Sequence, residues 1–390
     1  MKITGIRSRV VESKVEQLSA KKCASSNPLH LLSLPGDSMN PFRFHNWLIV
    51  EVETDAGIVG IGNAGLAPRV AKQIIDLYLK PVALGCDVFD VEFLWQYMYR
   101  KTIAFGRKGV GMAAISAIDI ALWDAMGKAL NQPVFRLLGG RTKSRIPVYA
   151  SRLYPQSHED LAKEAQEFKN QGFQAMKLRF GWGPADGASG MAANAELVRT
   201  VREAVGDKID VMADAYMGWN VDYTRRMIPL LEKYNLRWLE EPIIPDDIGG
   251  YFLLREMKGI PIAGGEHEFT LSGFHELLKS RALDYIQFDV NRVGGITQAR
   301  KINALAEAHG VPVVPHAGQM HNYHVVMASY NSPMAEFFPI EPLNVGNEFF
   351  WYIFSGEPSP TNGYIELDDN LSGLGIAINE EALRNFDVIG

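Results

Sequence analysis

Three acidic residues, each closing a short apolar run, recur in this chain at a constant interval. They are Asp214, Glu240 and Glu266, 26 residues apart each time. The runs Ile209–Ala213, Leu236–Leu239 and Ile260–Ala263 read as buried strands, and about 26 residues is room for a strand, a helix and two loops. Carboxylates at the carboxyl ends of consecutive parallel barrel strands converge on one rim, the rim that carries barrel active sites. Three hard oxygen ligands meeting there suit Mg²⁺. Any one of them alone would read as a stray acid in a βα loop. Three in register on a barrel pattern read as a metal site.

The rest of the chain supplies that pattern. From Arg145 strands alternate with helices: Ile146–Ala150, Ala175–Arg179, the three runs above, Asp284–Phe288, Val311–Val314 and Met334–Phe337 are the strands. Helices are expected after Ser157, at Ala192–Val205, Tyr223–Lys233, Ser272–Lys279 and Thr297–His309, and strands joined through helices in one sheet are parallel. Ahead of them, Met1–Val11, Trp47–Thr54 and Ile58–Gly62 read as strands, and Pro68–Leu79, Val91–Tyr97 and Met112–Leu130 as helices. A polar loop, Ser13–His45, carries His30, Asp37 and Arg43; loops this long inside a compact unit are usually lids or binding loops. The expected organisation is an α+β module over 1–140, a barrel over 141–343, and a segment 344–390 that packs back on the first module. A length of 390 residues accommodates a barrel of about 250 residues and a smaller partner.

Composition excludes several classes. A net charge of −6 and a pI near 5.9 argue against a nucleic-acid surface, which needs clustered Lys and Arg. They do not argue against an anionic small molecule, because a bound cation inverts the local field. Two isolated cysteines, Cys23 and Cys86, make neither a disulfide framework nor a zinc site. The long apolar stretch Gly109–Met126 is interrupted by Asp119 and Asp124, so a core helix is expected there and no membrane span. The opening residues alternate like a strand and show no leader, which places the expected location in the cytoplasm.

Two further strand ends carry proton-transfer groups. Asp289 ends the sixth strand and His316 the seventh, one βα unit apart. A carboxylate beside an imidazole fixes its tautomer and stabilises the imidazolium, giving a competent general base near neutral pH. On the second strand Lys177 and Arg179 share a face. Arg179 cannot lose its proton, whereas Lys177 is either a base or a cationic clamp. Glu336 closes the last strand, as a hydrogen-bond donor to a developing enolate or as a structural ion-pair partner. His316, His321 and His324 lack the spacing of zinc motifs, and Gly106, Gly109 and Gly111 make no dinucleotide fingerprint.

Taken together, Ser116–Lys128 with Pro133–Gly140, the carboxylate trio, Glu240-Glu241-Pro242, and Asp289 with His316 resemble the mandelate racemase subgroup of the enolase superfamily. The resemblance covers essentially the whole chain. It implies a modified TIM barrel, (β/α)₇β, with an N-terminal α+β capping domain completed by the C-terminal segment. It also implies Mg²⁺ on Asp214, Glu240 and Glu266, and proton abstraction next to a carboxylate; a His base with Mg²⁺ is a known solution to that problem. Within the subgroup the chain looks most like acid-sugar dehydratases acting on aldonates such as L-rhamnonate or L-lyxonate. Trp182-Gly183-Pro184, Gly265-Glu266-His267, Val314-Pro315-His316 and Glu336 carry that likeness. It implies catalytic roles for His316, Asp289, Glu336 and Lys177, and a substrate-binding set of Arg179, Tyr216, His267, Trp182, Arg43 and His30. Expected alternatives are a galactarate-type diacid dehydratase and a racemase or epimerase. The racemising members carry Lys where Arg179 stands, and position 216, often Asn in the subgroup, is Tyr. The partners expected are a small sugar acid and further copies of the chain, with neither nucleic acid nor membrane.

Overall fold

Strands β1 (Ile3–Glu12), β2 (Asn46–Thr54) and β3 (Val59–Ala64) form an antiparallel sheet. The computed structural model describes residues 1–13, 25–31, 46–340 and 349–390. Against this sheet lies α1 (Val110–Leu130), the apolar stretch of the sequence, packed inside the molecule. Two glycines make the contact possible. A Cβ on Gly60 would stand 2.0 Å from the Ala121 carbonyl oxygen, and one on Gly62 would stand 1.9 Å from that of Ala117. Small residues on the helix and none on the strand bring backbone against backbone.

The second body is a parallel sheet of β4 (Ile146–Ser151), β5 (Ala175–Arg179), β6 (Asp210–Asp214), β7 (Leu239–Glu240), β8 (Ile262–Gly264) and β9 (Tyr285–Ile286) in chain order. Strand β10 (Ala335–Phe337) pairs with β4 in parallel, Glu336 opposite Tyr149. Around the sheet run α2 (His158–Asn170), α3 (Gly187–Val205), α4 (Val221–Leu231), α5 (Ile248–Glu256), α6 (Thr270–Lys279), α7 (Gly295–Ala308) and α8 (Met320–Ala328). Ser157 opens α2 by accepting from the Asp160 amide, the cap that its sequence anticipates.

The structure departs from the sequence reading at four elements in particular. Val311–Val314 is not a full strand: it makes a single parallel bridge, Val313 to Ile286. Pro312 and Pro315 remove two ladder donors, and Val313 instead donates to the Asn331 carbonyl. The helix expected over Pro68–Leu79 is α-helical only to Ile74 and widens into a π turn over Ile75–Leu79. Pro81 follows in the next turn, where its ring and missing N–H disfavour regular bonding one turn back. Helices α5 and α8 were not anticipated. The first opens on Gly249 and Gly250. Nearly every residue of the second is buried, so it has no polar stripe to betray its period.

The two bodies are joined by buried polar contacts. From α1, Ser116 Oγ accepts from the Gly294 amide and Asp119 Oδ2 from the Thr297 amide, each at 2.9 Å, at the start of α7. The C-terminal strand Asp387–Ile389 pairs antiparallel with β1, and Tyr364–Ile365 pairs with β4.

Candidate active site

The strand ends deliver their acids to one rim. Asp214 and Glu240 are the last residues of β6 and β7, and Glu266 follows β8 after a turn at Gly265, whose φ is +123°. All three are buried, at 2%, 1% and 4% exposure. Non-glycine residues in the left-handed region mark this rim: Tyr216, Glu241 and Ala317 have φ of 44°, 35° and 60°. Such residues cost of order 1–3 kcal/mol each and cluster at functional sites. Here the turn at Tyr216 lets its amide donate to Asp214 Oδ1 at 2.8 Å, and that at Ala317 lets its amide donate to Glu336 Oε2 at 2.9 Å.

Lys177 lies at the centre of the acids. Its Nζ pairs with Glu240, with Glu336 at 2.8 Å and with Asp214 at 3.7 Å, and the side chain is fully buried. Arg179, on the same face, pairs with Asp214 at 2.5 Å and stacks over Tyr154. Glu240 also accepts from Trp238 Nε1 at 2.9 Å and Gln287 Nε2 at 2.7 Å. Burial pushes the Glu240 carboxyl up to about 7, against the pull of Lys177 and with the repulsion of Asp214 and Glu336. Burial raises Asp214 as well. Glu266 goes the other way, because His316, His267 and Arg292 outweigh its desolvation.

His316 and Asp289, the pair expected to transfer protons, stand together. His316 Nδ1 stands 2.9 Å from Asp289 Oδ2, and its Nε2 lies 3.3 Å from Glu266 Oε2. Burial alone would lower the imidazole, but Glu266 and Asp289 hold it up at about 9. Arg292 bridges Asp289 Oδ2, at 3.0 Å from Nε, and Glu266 Oε1, at 3.3 Å from Nη1. His316, Asp289, Glu266, Arg179 and Tyr216 all line one cavity, which Trp47 and Gly65 of the cap help to close.

Other expected residues are placed differently. The ring of His267 is held by Glu241, at 2.6 Å from Nδ1, and meets Tyr216 edge-on; it does not line the cavity. Trp182 packs its ring against the core, while its carbonyl accepts from Ser26 Oγ and Trp219 Nε1, each at 2.9 Å. Arg43 and the side chain of His30 lie outside the described residues. Sequence reasoning assigned no role to Gln287, Trp238, Arg292, Asn291 or Glu241. Two were within reach: Trp238 and Gln287 sit two residues before Glu240 and Asp289, hence on the same face of an extended chain. Arg292 and Asn291 lie in the turn after Asp289, where no period applies.

As a metal centre the trio offers only buried carboxylate oxygen, which fits Mg²⁺. Among the described residues, Glu241, Glu266 and His267 are the three whose ligand atoms all lie within 4.8 Å of one another. Asp214, Glu240 and Glu266 are held wider, with Lys177 touching the first two.

Known proteins resemble the chain over most of its length. Residues 36–139 match the family model described as mandelate racemase / muconate lactonizing enzyme, N-terminal domain, and 160–382 match the enolase C-terminal domain-like model. An L-rhamnonate dehydratase of Saccharopolyspora erythraea is 40% identical over 337 residues, covering 86% of this chain and 83% of that protein. The crystal structure of L-rhamnonate dehydratase from Gibberella zeae superposes with a TM-score of 0.88 at 34% identity, over 99% of this chain and 95% of that one. A structure of rhamnonate dehydratase from Gibberella zeae complexed with Mg superposes with a TM-score of 0.85 at 32% identity, over 99% and 96%.

Proposed function

Because the chain belongs to the enolase superfamily, in its mandelate racemase subgroup, we propose that it is a Mg²⁺-dependent hydro-lyase that dehydrates sugar acids. The observation that carries this reading is the meeting of the His316–Asp289 pair with Glu266 in one cavity, in a chain similar to L-rhamnonate dehydratases. The substrate is an aldonate, such as L-rhamnonate or L-lyxonate.

Asp214, Glu240 and Glu266 would hold Mg²⁺, which supplies positive charge to the substrate carboxylate and 2-hydroxyl and so acidifies the C2 proton. His316, through Nε2, removes that proton, while Asp289 on Nδ1 fixes the tautomer and steadies the imidazolium. The electron pair of the broken C–H bond passes onto the carboxylate as an enediolate. Lys177 and Arg179 add fixed positive charge near it in a water-poor site, where such charge counts most. The enediolate then expels the 3-hydroxyl, which takes the proton back from His316 and leaves as water. The resulting enol tautomerises to a 2-keto-3-deoxy acid.

Racemisation requires a second base on the opposite face. Arg179 keeps its proton, and three carboxylates hold the proton on Lys177. A galactarate-type diacid is the second reading, because two arginines face the cavity. Arg179 is already paired with Asp214, and Arg292 with Asp289 and Glu266. Both are drawn to the rim's own acids, the end where the metal-bound carboxylate of the substrate would sit, so the monoacid is favoured. Incubation with Mg²⁺ and a panel of aldonic and aldaric acids, read by 2-keto acid formation, tests the reading. Turnover confined to diacids would reverse the choice of sugar, and turnover of none would remove the dehydratase assignment.

A further inference from the structure

The dyad is tied to the cap by a continuous run of buried hydrogen bonds. Asn63 is in β3, on the cap sheet, and is fully buried. Its side-chain Oδ1 accepts from Trp47 Nε1 of β2 at 3.0 Å and from Asn291 Nδ2 at 3.2 Å. Its backbone carbonyl accepts from the same Asn291 Nδ2 at 2.7 Å. Asn291 lies in the turn two residues after Asp289, and its amide donates to Asp289 Oδ1 at 2.7 Å. The other oxygen of that carboxylate receives His316 Nδ1 at 2.9 Å. Trp47, Asn291, Asp289 and His316 all face the cavity.

We propose that Asn63 and Asn291 are positioning residues that couple the seating of the cap to the alignment of His316. This rests on the reading of His316 and Asp289 as the proton-transfer pair. Asp289 has two oxygens with separate duties. The bond of the Asn291 amide to Oδ1 fixes, together with Arg292 Nε on Oδ2 at 3.0 Å, how the carboxylate is turned and thus where Oδ2 meets the imidazole. The side chain of Asn291 in turn anchors the turn on the cap, 228 residues away in sequence. A displacement of about 1 Å at a catalytic group costs up to ~10²-fold in rate, so a turn released from Asn63 should misalign the base without emptying the binding cavity. The anchor has its own chemical signature. Asn63 uses only its acceptor atoms, because its Nδ2 is buried with no partner among the described residues. An acceptor is therefore all the site asks of position 63.

That asymmetry sets the test, made on the full-length enzyme with Mg²⁺ and whichever acid it dehydrates. Asn291→Ala should lower kcat by ~10-fold or more while KM moves by less than ~3-fold. Asn63→Ala should fall in the same direction, and Asn63→Asp, which keeps the acceptor, should recover toward the parent. The double variant Asn63→Ala/Asn291→Ala should be no slower than Asn291→Ala, because the two act as one unit. Additive losses, or an Asn63→Asp as slow as Asn63→Ala, would overturn the proposal. A second readout needs no substrate. The downfield proton resonance of the His316–Asp289 hydrogen bond, assigned by its loss in His316→Asn, should broaden or vanish in Asn291→Ala. An unchanged resonance there overturns the coupling even if no sugar acid is ever turned over. A lost resonance in an enzyme inert to every acid leaves the coupling standing and removes the proposed function instead. Should Asn291→Ala not fold, the comparison of Asn63→Ala with Asn63→Asp decides alone.

Discussion

At the scale of single residues, Lys177 shows how this rim divides its labour. Burial alone would strip its proton, yet Glu240, Glu336 and Asp214 hold its pKa above the ordinary lysine value, so in the proposed mechanism it is fixed charge and His316 is the base. His316→Asn is therefore expected to lower kcat by at least ~10²–10⁴-fold. It should also stop deuterium entering C2 from solvent; exchange at the parent rate would transfer the role of base to Lys177. The working form of His316 is neutral, so the rate should rise with pH. Glu266 and Asp289 hold the imidazole at about 9 against an ordinary 6.5. A cation on Glu266 would weaken the attraction that holds it up, which puts the limb of the kcat/KM profile between those two values. A profile flat from 6 to 9 would contradict a titrating base. Glu240→Gln removes one charge from the trio while amide oxygen and nitrogen still fit the space, so Mg²⁺ binding should vanish in calorimetry with the far-UV circular dichroism unchanged. Retained Mg²⁺ affinity would rule the trio out as the metal site.

At the scale of elements, α1 is held by acids that a sequence reading could register only as interruptions. Asp124 accepts from the Ile61 amide of β3 at 2.7 Å and from the Leu374 amide at 2.8 Å, and pairs with Lys128 at 2.6 Å. It pins sheet, helix and C-terminal segment at one buried point. Asp124→Ala leaves two buried amides without an acceptor and Lys128 with the Val59 carbonyl but no counter-charge, and should cost about 3–5 kcal/mol, read from a urea or thermal unfolding midpoint; a loss under 1 kcal/mol would mean that water reaches the point. Of their partners, Thr297 of Asp119 and Leu374 of Asp124 lie 178 and 250 residues away, and no local period can reveal those two. The strand-borne site was legible for the opposite reason. Asp214 and Glu240 close the strands that their apolar runs define, and Asp289 and His316 do meet. What escaped were groups placed by turns, Arg292 and Asn291, and the helix α8, whose burial on all sides leaves no stripe to read.

At the scale of the whole molecule, the buried acids make stability depend on the cation. Asp214, Glu240, Glu266, Glu336 and Asp289 share a rim whose fixed positive charges among the described residues are Lys177, Arg179 and Arg292, too few to neutralise them. A ligand that binds only the folded state adds about 2.7 kcal/mol at a hundred times its Kd. Chelation should accordingly lower the thermal midpoint by a few degrees, Mg²⁺ should restore it, and Glu240→Gln should respond to neither. A parent protein whose midpoint ignores both additions would have no such site. The pairing of Asp387–Ile389 with β1 reaches beyond stability to the order in which the molecule can be made. Its partner, Val10–Glu12, leaves the ribosome far ahead of it and waits for the whole barrel to be made in between. At about 5–20 residues per second that wait is roughly 20–75 s, through which the outer edge of the cap sheet has no native neighbour. An unpaired edge is where nascent chains join one another, so the passage most exposed to aggregation falls while the barrel is still being translated.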